Sequence, residues 1–340
     1  MNKVGIIGYG VVGKRRREYI AKNPLFNTCY VSDIKLNDDG EFPDGVKYFN
    51  DYQKIFKQDV DVIFISLPTY LASEVTILGL ENGCHVFCEK PPARTVKEMK
   101  AVIACSERYP HLKLKYGFNH RYHDSVKKAR EIIVSNDLGE VVSFRGIYGK
   151  SSIIPFGSGW RSEKKYAGGG ILLDQGIHML DLVRYFSSDY DEIYSFVTND
   201  YWGHDVEDNA FILMRNEVGQ VASLHSTATQ WQHRFRLDII LREGLLELSG
   251  ILSGSKSYGS ETLKIIERVE DESAGSQEAK TFTFLNDNSW KDEIDEFADC
   301  VVNDKPVENG TSNDALKVME MIFDIYKADG SWWNKIEKNK

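Results

Sequence analysis

The first 120 residues alternate short apolar runs with longer helical patterns. The apolar runs are residues 3–8, 29–32, 60–66, 85–89 and 112–118. The third of them is almost entirely apolar, which is typical of a strand buried on both faces of a sheet. Strands that alternate with helices predict a parallel, doubly wound α/β sheet.

A glycine-rich turn follows the first apolar run. Its pattern is Gly8-x-Gly10-x-x-Gly13, with Val11 and Val12 between the last two glycines. The first glycine permits the tight turn, the second lets the backbone approach a pyrophosphate, and the third lets helix and strand pack closely. The helix that follows directs free N–H groups and a partial positive charge at the phosphates. These five residues are therefore predicted to bind a dinucleotide.

Further cofactor contacts are predicted after the second and third runs. Asp33 follows the second run and can accept hydrogen bonds from the adenosine ribose, which favours NAD. Lys35 is close enough in sequence to leave NADP binding open. Leu67 and Pro68 follow the third run, at the edge of the sheet where open α/β folds bind ligands. An ordinary strand-to-helix turn is the alternative for this pair.

Four basic residues, Lys14-Arg15-Arg16-Arg17, open the same helix. They could neutralise a pyrophosphate or an anionic substrate. Consecutive helical residues point about 100° apart, so at most one of the four is expected to reach a phosphate. A solvated helix face is the favoured interpretation.

The Glu89-Lys90-Pro91 motif ends the fourth run. A lysine at this edge of the sheet can stabilise a developing alkoxide and take part in proton transfer. A surface lysine in a turn would have the same local sequence. Lys90 is therefore a candidate catalytic residue on position alone.

A second candidate group follows three glycines at residues 168–170. Asp174, His178 and Asp181 stand at i, i+4 and i+7 of a predicted helix and share a narrow stripe of its surface. The ordinary pKa of histidine, about 6.5, suits the removal of a hydroxyl proton near neutrality. Asp174 could orient the imidazole or contact substrate. A metal site and a capped, solvated helix face are the alternatives.

Composition excludes several classes of partner. The chain of 340 residues has a net charge of −9 and a pI of about 5.5, which argues against nucleic acid or an anionic membrane. No apolar run approaches the ~20 residues of a membrane span. The first residues enter a strand at once and leave no room for a signal peptide, so a cytoplasmic location is expected.

The cysteines predict neither a disulfide framework nor a metal site. There are five of them, an odd number in a large chain. Cys84-His85-x-x-Cys88 resembles half a zinc site, but no second cluster completes the four ligands that structural zinc needs. Buried thiols and no bound metal are therefore expected.

The pattern changes after residue 121 to longer strands separated by turns. We predict strands at residues 141–148, 192–198, 210–214, 220–229, 235–241 and 245–248. Short hairpin turns between several of them indicate an antiparallel sheet. The predicted organisation is a nucleotide-binding domain at residues 1–121 and a second α/β domain at residues 122–340.

Taken together, the motifs resemble the glucose–fructose oxidoreductase/inositol dehydrogenase/MocA family. The residues that carry the resemblance are Gly8 to Gly13, Glu89-Lys90-Pro91, Asn119-His120-Arg121-Tyr122, Trp160-Arg161 and Gly168 to Asp181. The resemblance implies a Rossmann domain followed by a domain with a large, mostly antiparallel sheet, and pairing through its outer face into a homodimer or homotetramer. One departure is the absence of a histidine just after Pro68, which many members carry.

The resemblance also implies residue roles. Lys90, Asp174 and His178 would be catalytic, with His178 the base. Glu89 would border the cofactor, and Lys90 would be a further cofactor contact. The substrate would also contact four residues of the flanking motifs: Asn119, Arg121, Trp160 and Arg161.

The predicted function is hydride transfer between NAD or NADP and a secondary carbinol. The substrate would be a sugar, polyol or nucleotide sugar bound between the domains. Residues 251–260, with Lys256 and Tyr258, would form a loop over the pocket or a solvated linker. The alternatives are a non-catalytic NAD-binding regulatory protein and a reductase of a different unsaturated substrate.

Overall fold

The computed structural model describes residues 1–153, 159–252, 257–269 and 278–338. The chain forms two compact units. The first unit comprises Met1–Asn119, Lys165–Gly168 and Trp290–Met319. The second unit comprises His120–Lys164, Gly169–Ser289 and Glu320–Lys340.

The helices of the described residues are short to medium in length. They are α1 (Val11–Ile20), α2 (Thr69–Glu81), α3 (Val96–Ser106), α4 (Asp124–Ser135), α5 (Lys164–Ala167), α6 (Ile177–Phe186), α7 (Ser289–Val302), α8 (Ser312–Ala328) and α9 (Gly330–Lys338). Within the described parts of the chain, none is both long and apolar enough to cross a membrane.

The first unit contains a seven-stranded sheet. Its strands are β1 (Asn2–Ile7), β2 (Phe26–Ser32), β3 (Gly40–Glu41), β4 (Lys47–Phe49), β5 (Val62–Ile65), β6 (His85–Glu89) and β7 (Leu114–Gly117). The order is β3-β4-β2-β1-β5-β6-β7, and only β3 runs antiparallel to its neighbour. The predicted doubly wound parallel sheet is confirmed. Prediction missed β3 and β4 because two or three residues carry no periodicity.

The core of the first unit includes a helix from late in the chain. Phe26, Phe64 and Phe87 of the sheet lie with their ring centroids 5.6–6.1 Å from that of Phe297 on α7. These rings are all buried. The first unit therefore differs from the predicted domain at residues 1–121, because the apolar face of α7 completes its core.

The second unit contains an eight-stranded sheet. Its strands are β8 (Val141–Ser151), β9 (Glu192–Thr198), β10 (Asn209–Arg215), β11 (Val221–Gln230), β12 (Arg234–Leu241), β13 (Gly244–Ser249), β14 (Glu261–Glu267) and β15 (Ala279–Phe284). The order is β15-β14-β13-β12-β8-β11-β10-β9, and only β8 and β11 pair in parallel. The predicted, mostly antiparallel sheet is confirmed, with β14 and β15 added to it.

The two faces of this sheet differ in polarity and exposure. Along β10, Ala210, Ile212 and Met214 are buried, whereas Phe211 and Leu213 are exposed. This alternation is expected when one face covers a core and the other remains open. On the covered face, a Cβ on Gly146 would lie 3.0 Å from Met179 Sδ of α6. Helix α6 therefore packs closely on β8.

Candidate active site

The glycine turn has the geometry of a nucleotide-binding loop. Gly8 has φ +89°, and a Cβ there would lie 2.3 Å from Ser66 O. A Cβ on Gly13 would lie 2.0 Å from Gly8 O, whereas one on Gly10 would meet nothing within 4 Å. The first and third glycines thus permit backbone packing, and the second leaves open space beside the turn.

The start of α1 is open to a ligand. Gly10 is its N-cap, no side chain caps the helix, and its first turn carries no acidic residue. Val11 and Val12 of this turn are exposed. The first N–H groups of a helix have no partner within the helix and favour anions. This end of α1 can therefore receive a phosphate.

Asp33 lies beside the glycine turn. Its carboxylate accepts hydrogen bonds from the backbone N–H groups of Tyr9 at 2.8 Å and Lys35 at 2.9 Å. A carboxylate has about four acceptor positions, so capacity remains for ribose hydroxyls. Leu67 also borders the turn, because a Cβ on Gly8 would lie 3.2 Å from its Cδ2. Pro68 is the N-cap of α2.

Arg16 departs from the predicted solvated helix face. Its side chain is fully buried, and its Nε donates to Glu89 Oε1 at 2.6 Å. The solvated interpretation of the basic run is therefore wrong at this position. The Glu89 carboxylate, expected to border the cofactor, is bound by Arg16 and only 14% exposed. Lys90 follows directly after β6 and is half-buried.

A buried glutamate holds the turn before the second candidate group. Glu207 accepts hydrogen bonds from Gly170 N at 2.7 Å, Leu172 N at 3.0 Å and Tyr326 Oη at 2.7 Å. A Cβ on Gly170 would lie 2.0 Å from Glu207 O. Burial raises the pKa of Glu207, and the three donors oppose this effect. Glu207 thereby fixes the start of the helix that carries Asp174 and His178.

That helix is not a regular α-helix as predicted. Leu172–Gly176 forms a wide π-type turn, and α6 continues from Ile177. A Cβ on Gly176 would lie 2.2 Å from Ser226 Oγ, so this turn rests directly on β11. Such single wide turns are frequent at functional sites. Asp174 lies within the turn and is partly exposed.

His178 is part of a stacked aromatic group. Its side chain is 4% exposed, and its ring lies 3.7 Å from that of His120 with an interplanar angle of 13°. His120 Nε2 lies 3.1 Å from Tyr148 Oη. Burial raises the pKa of Tyr148 well above its usual value, with smaller contributions from Tyr258 and Asp174. His178 is therefore held against a ring that itself contacts Tyr148.

Asp181 does not share the exposure of Asp174. It is fully buried, and its two oxygens accept from Arg121 Nε at 2.8 Å and Nη2 at 2.6 Å. The predicted polar stripe therefore ends in a bidentate ion pair. Asp181 and Arg121 satisfy each other, which argues against Asp181 as a sugar acceptor or as part of a metal site with His178.

Four other predicted residues lie in turns. Asn119 belongs to the first unit and begins the short 3₁₀ turn Asn119–Tyr122. The Arg161 guanidinium lies 4.3 Å from the ring centroid of Trp160 in the second unit. Tyr258 is buried, and its hydroxyl accepts from Gln175 Nε2 at 2.8 Å. Lys256 lies outside the described residues.

Several residues that contact the predicted ones were not themselves predicted. In the first unit this is Arg16, and in the second unit these are His120, Tyr148 and Glu207. His120 stood within a motif that we used for the resemblance, so a stacking role could have been proposed. Glu207 and Tyr148 lie in a loop and a strand with no motif of their own. Cys84 and Cys88 of the predicted thiol pair are buried, and burial raises their pKa values to about 11 and about 12.

Comparisons with known proteins agree with this organisation. The curated levoglucosan dehydrogenase of Pseudarthrobacter phenanthrenivorans is 30% identical over 206 residues, which are 56% of this chain and 52% of that protein. D-glucoside 3-dehydrogenase of Escherichia coli is 35% identical over 125 residues, 37% of this chain and 35% of that protein. The matches thus span about half or less of these relatives.

A solved structure resembles nearly the whole chain. Levoglucosan dehydrogenase in complex with NADH and levoglucosan has a TM-score of 0.83 at 20% identity, covering 97% of this chain and 98% of that chain. At this identity the likeness concerns the fold. Residues 2–117 match the model of an oxidoreductase family with an NAD-binding Rossmann fold, and residues 126–247 match that of the GFO/IDH/MocA C-terminal domain. The chain belongs to the GFO/IDH/MocA family of oxidoreductases.

Proposed function

We propose that the protein is a dehydrogenase or reductase that uses NAD in preference to NADP. Its substrate is a sugar, polyol or nucleotide sugar, which reacts at a secondary carbinol. The observation that carries this proposal is the buried His178, stacked on His120 and preceded by Asp174 on the same helix. The names of the two curated relatives, levoglucosan dehydrogenase and D-glucoside 3-dehydrogenase, support a carbohydrate substrate.

In the oxidative direction, His178 accepts the hydroxyl proton of the carbinol at an imidazole nitrogen. Lys90 stabilises the negative charge that develops on the same oxygen. Asp174, at the partly exposed wide turn, accepts a hydrogen bond from the substrate or orients the histidine. When bound, nicotinamide supplies the chemistry that accepts or returns the hydride. In the reductive direction the proton transfers are reversed.

A substrate screen tests this proposal. Purified protein is incubated with NAD and a panel of glucosides, anhydro sugars, polyols and nucleotide sugars, and the absorbance of reduced nicotinamide is followed. Turnover of a hydroxyl-rich compound is expected. Tight NAD binding without turnover of any member would favour the non-catalytic regulatory protein. Turnover restricted to flat conjugated compounds would contradict the carbohydrate assignment.

Cofactor preference is expected to depend on Asp33. Asp33→Asn keeps one acceptor oxygen and removes the charge that would repel a 2′-phosphate. Because a unit charge near a phosphate is worth roughly 1–4 kcal/mol, the ratio of kcat/KM for NADP to that for NAD should rise at least about fivefold. Steady-state kinetics with both cofactors and one substrate measure this ratio.

Asp38→Asn is the matched control, because Asp38 is an exposed aspartate of the loop after Asp33. It should leave the ratio unchanged. Equal responses of the two variants would show a general charge effect. A wild-type enzyme that already prefers NADP would contradict the proposed role of Asp33.

Self-association is expected to use the open face of the eight-stranded sheet. Phe196 of β9 lies opposite Phe211 of β10, and Tyr194 lies opposite Leu213. All four are exposed, and Phe196 is 76% exposed. We expect a dimer or tetramer by sedimentation equilibrium, and Phe196→Asp should reduce the assembly because it places a charge on an apolar contact surface.

Val218→Asp is the control, since Val218 is equally exposed at 76% but lies in the turn after β10. It should keep the wild-type mass. A monomeric wild type, or an unchanged assembly in the Phe196 variant, would show that this face is not the contact surface.

A further inference from the structure

The buried arginine of the nucleotide-binding helix is joined to two carboxylates. Arg16 Nη2 lies 2.6 Å from Glu89 Oε1 and 2.7 Å from Glu293 Oε2 of α7. The side chains of Arg16 and Glu293 are fully buried. We call these three residues the Arg16 cluster. It links α1, the end of β6 and α7 within the first unit.

The surroundings of the cluster leave its guanidinium little freedom. It lies between two aromatic rings, 4.4 Å from the centroid of Phe87 and 4.3 Å from that of Trp290. A Cβ on Gly117 would lie 2.9 Å from Glu89 Oε2 and 3.2 Å from Arg16 Nη2. The Glu89 side chain thus lies between the Arg16 guanidinium and the backbone of β7 at Gly117, where no side chain intervenes.

The position of Lys90 follows from that of Glu89, because the two residues are adjacent in the chain. The backbone of Glu89 pairs with Gly117 of β7, which fixes its strand. Its carboxylate is held by Arg16 through the Nε hydrogen bond at 2.6 Å. Glu89 is therefore anchored through both its backbone and its side chain. Lys90 follows it directly, so the backbone of Lys90 leaves the sheet at a defined position.

Arg16 is anchored at the other end by the glycine turn. It stands three residues after Gly13, whose missing side chain lets α1 approach the Gly8 carbonyl. We infer that Arg16 is a positioning residue, which fixes Lys90 relative to the phosphate-binding start of α1 through the carboxylate of Glu89. This inference rests on the proposed function, because it assigns Lys90 a catalytic role.

Glu293 makes the cluster sensitive to pH. Burial raises its pKa to about 7, Arg16 opposes this shift and Glu89 adds to it. The other charged group that acts on Glu293 is Lys115, which pairs with Glu296 at 2.8 Å. Between the ordinary value of 4.5 and about 7, the folded protein keeps a proton that the unfolded chain has lost. The contribution of Glu293 to stability therefore falls as pH rises through this window.

The test is Arg16→Lys, with Arg15→Lys as the matched control on the same helix. A lysine presents one ammonium and cannot hold two carboxylates in the planar geometry of a guanidinium. We expect kcat to fall about tenfold or more, because small displacements of a catalytic group are costly. The KM values and the dissociation constant for NAD should stay close to wild type. Arg15→Lys should have wild-type kcat.

Hydrogen–deuterium exchange gives a readout that needs no substrate. Exchange at the Glu89 and Lys90 amides should be faster in Arg16→Lys than in Arg15→Lys. If Arg16→Lys does not fold, the double variant Arg16→Lys/Glu293→Gln is measured in the same way, because it removes the second carboxyl group that a lysine cannot hold together with Glu89. Glu293 is expected to lower the free energy of unfolding as pH rises from 5 to 7. Glu293→Gln should lack this decrease.

Lys90→Ala separates this inference from the proposed function. If Lys90→Ala abolishes turnover while Arg16→Lys shows wild-type kcat and exchange, the positioning role of Arg16 is overturned and the function stands. If Lys90→Ala keeps full turnover, the catalytic role proposed for Lys90 fails and the positioning role of Arg16 fails with it. A wild-type protein that turns over no member of the substrate panel would instead contradict the proposed function. A lower melting temperature of Arg16→Lys with unchanged kcat and exchange would reveal a purely structural residue and also overturn the inference.

Discussion

Replacing His178 with alanine is expected to lower kcat by about 10²–10⁴-fold, the usual contribution of a general base. Lys90→Ala should have an effect of similar size. In His178→Ala, NAD binding should remain close to wild type, because the predicted cofactor contacts lie in the first unit and His178 lies in the second. Steady-state kinetics, with NAD affinity from calorimetry, measure both quantities.

The matched control is His204→Ala. His204 is another histidine of the second unit, partly buried and stacked on Trp202 with a centroid distance of 6.5 Å. It should keep wild-type turnover. Activity of His178→Ala that recovers at high pH would support proton transfer, because hydroxide can replace the base. Near wild-type kcat of His178→Ala at neutral pH would mean that another group is the base.

Two glycines of the same turn are expected to respond differently to alanine. Gly13→Ala places a Cβ 2.0 Å from the Gly8 carbonyl, and backbone cannot move aside cheaply. We expect a loss of roughly 1–3 kcal/mol or more in the free energy of unfolding, as for other overpacked sites. Denaturant unfolding without cofactor measures this loss.

Gly10→Ala is the internal comparison. Gly10 has φ −77°, which alanine adopts readily, and a Cβ there meets nothing within 4 Å. Stability should change by less than about 0.5 kcal/mol. NAD affinity should nevertheless fall, because the methyl group occupies the space where the pyrophosphate approaches. Unchanged NAD affinity in Gly10→Ala would show that the cofactor phosphates bind elsewhere.

The parallel sheet was predictable because buried strands and the glycine turn leave local signatures. The run at residues 60–66 contains β5, all of whose residues are buried. The second sheet was recognisable from the short hairpin turns between its strands. Strands β3 and β4 were not, since a strand of two or three residues is defined by its neighbour rather than by its own sequence.

The candidate site was less predictable, because long-range partners decide what a polar residue does. Arg16 and Arg15 are indistinguishable in sequence, yet only Arg16 meets Glu293, which lies far along the chain. Asp174 and Asp181 were assigned to one stripe of a regular helix. A wide turn and the partner Arg121 gave them different surroundings.

Helix α7 has a consequence for how this protein is made. The rings of Phe26, Phe64 and Phe87 surround Phe297, so the nucleotide-binding unit lacks part of its core until Phe297 has been synthesised. At typical translation rates, the interval between the synthesis of Phe87 and that of Phe297 is on the order of ten seconds or more. Until then, the rings of Phe26, Phe64 and Phe87 lack the ring that packs against them. The strands of this sheet are thus synthesised well before the helix that completes its core.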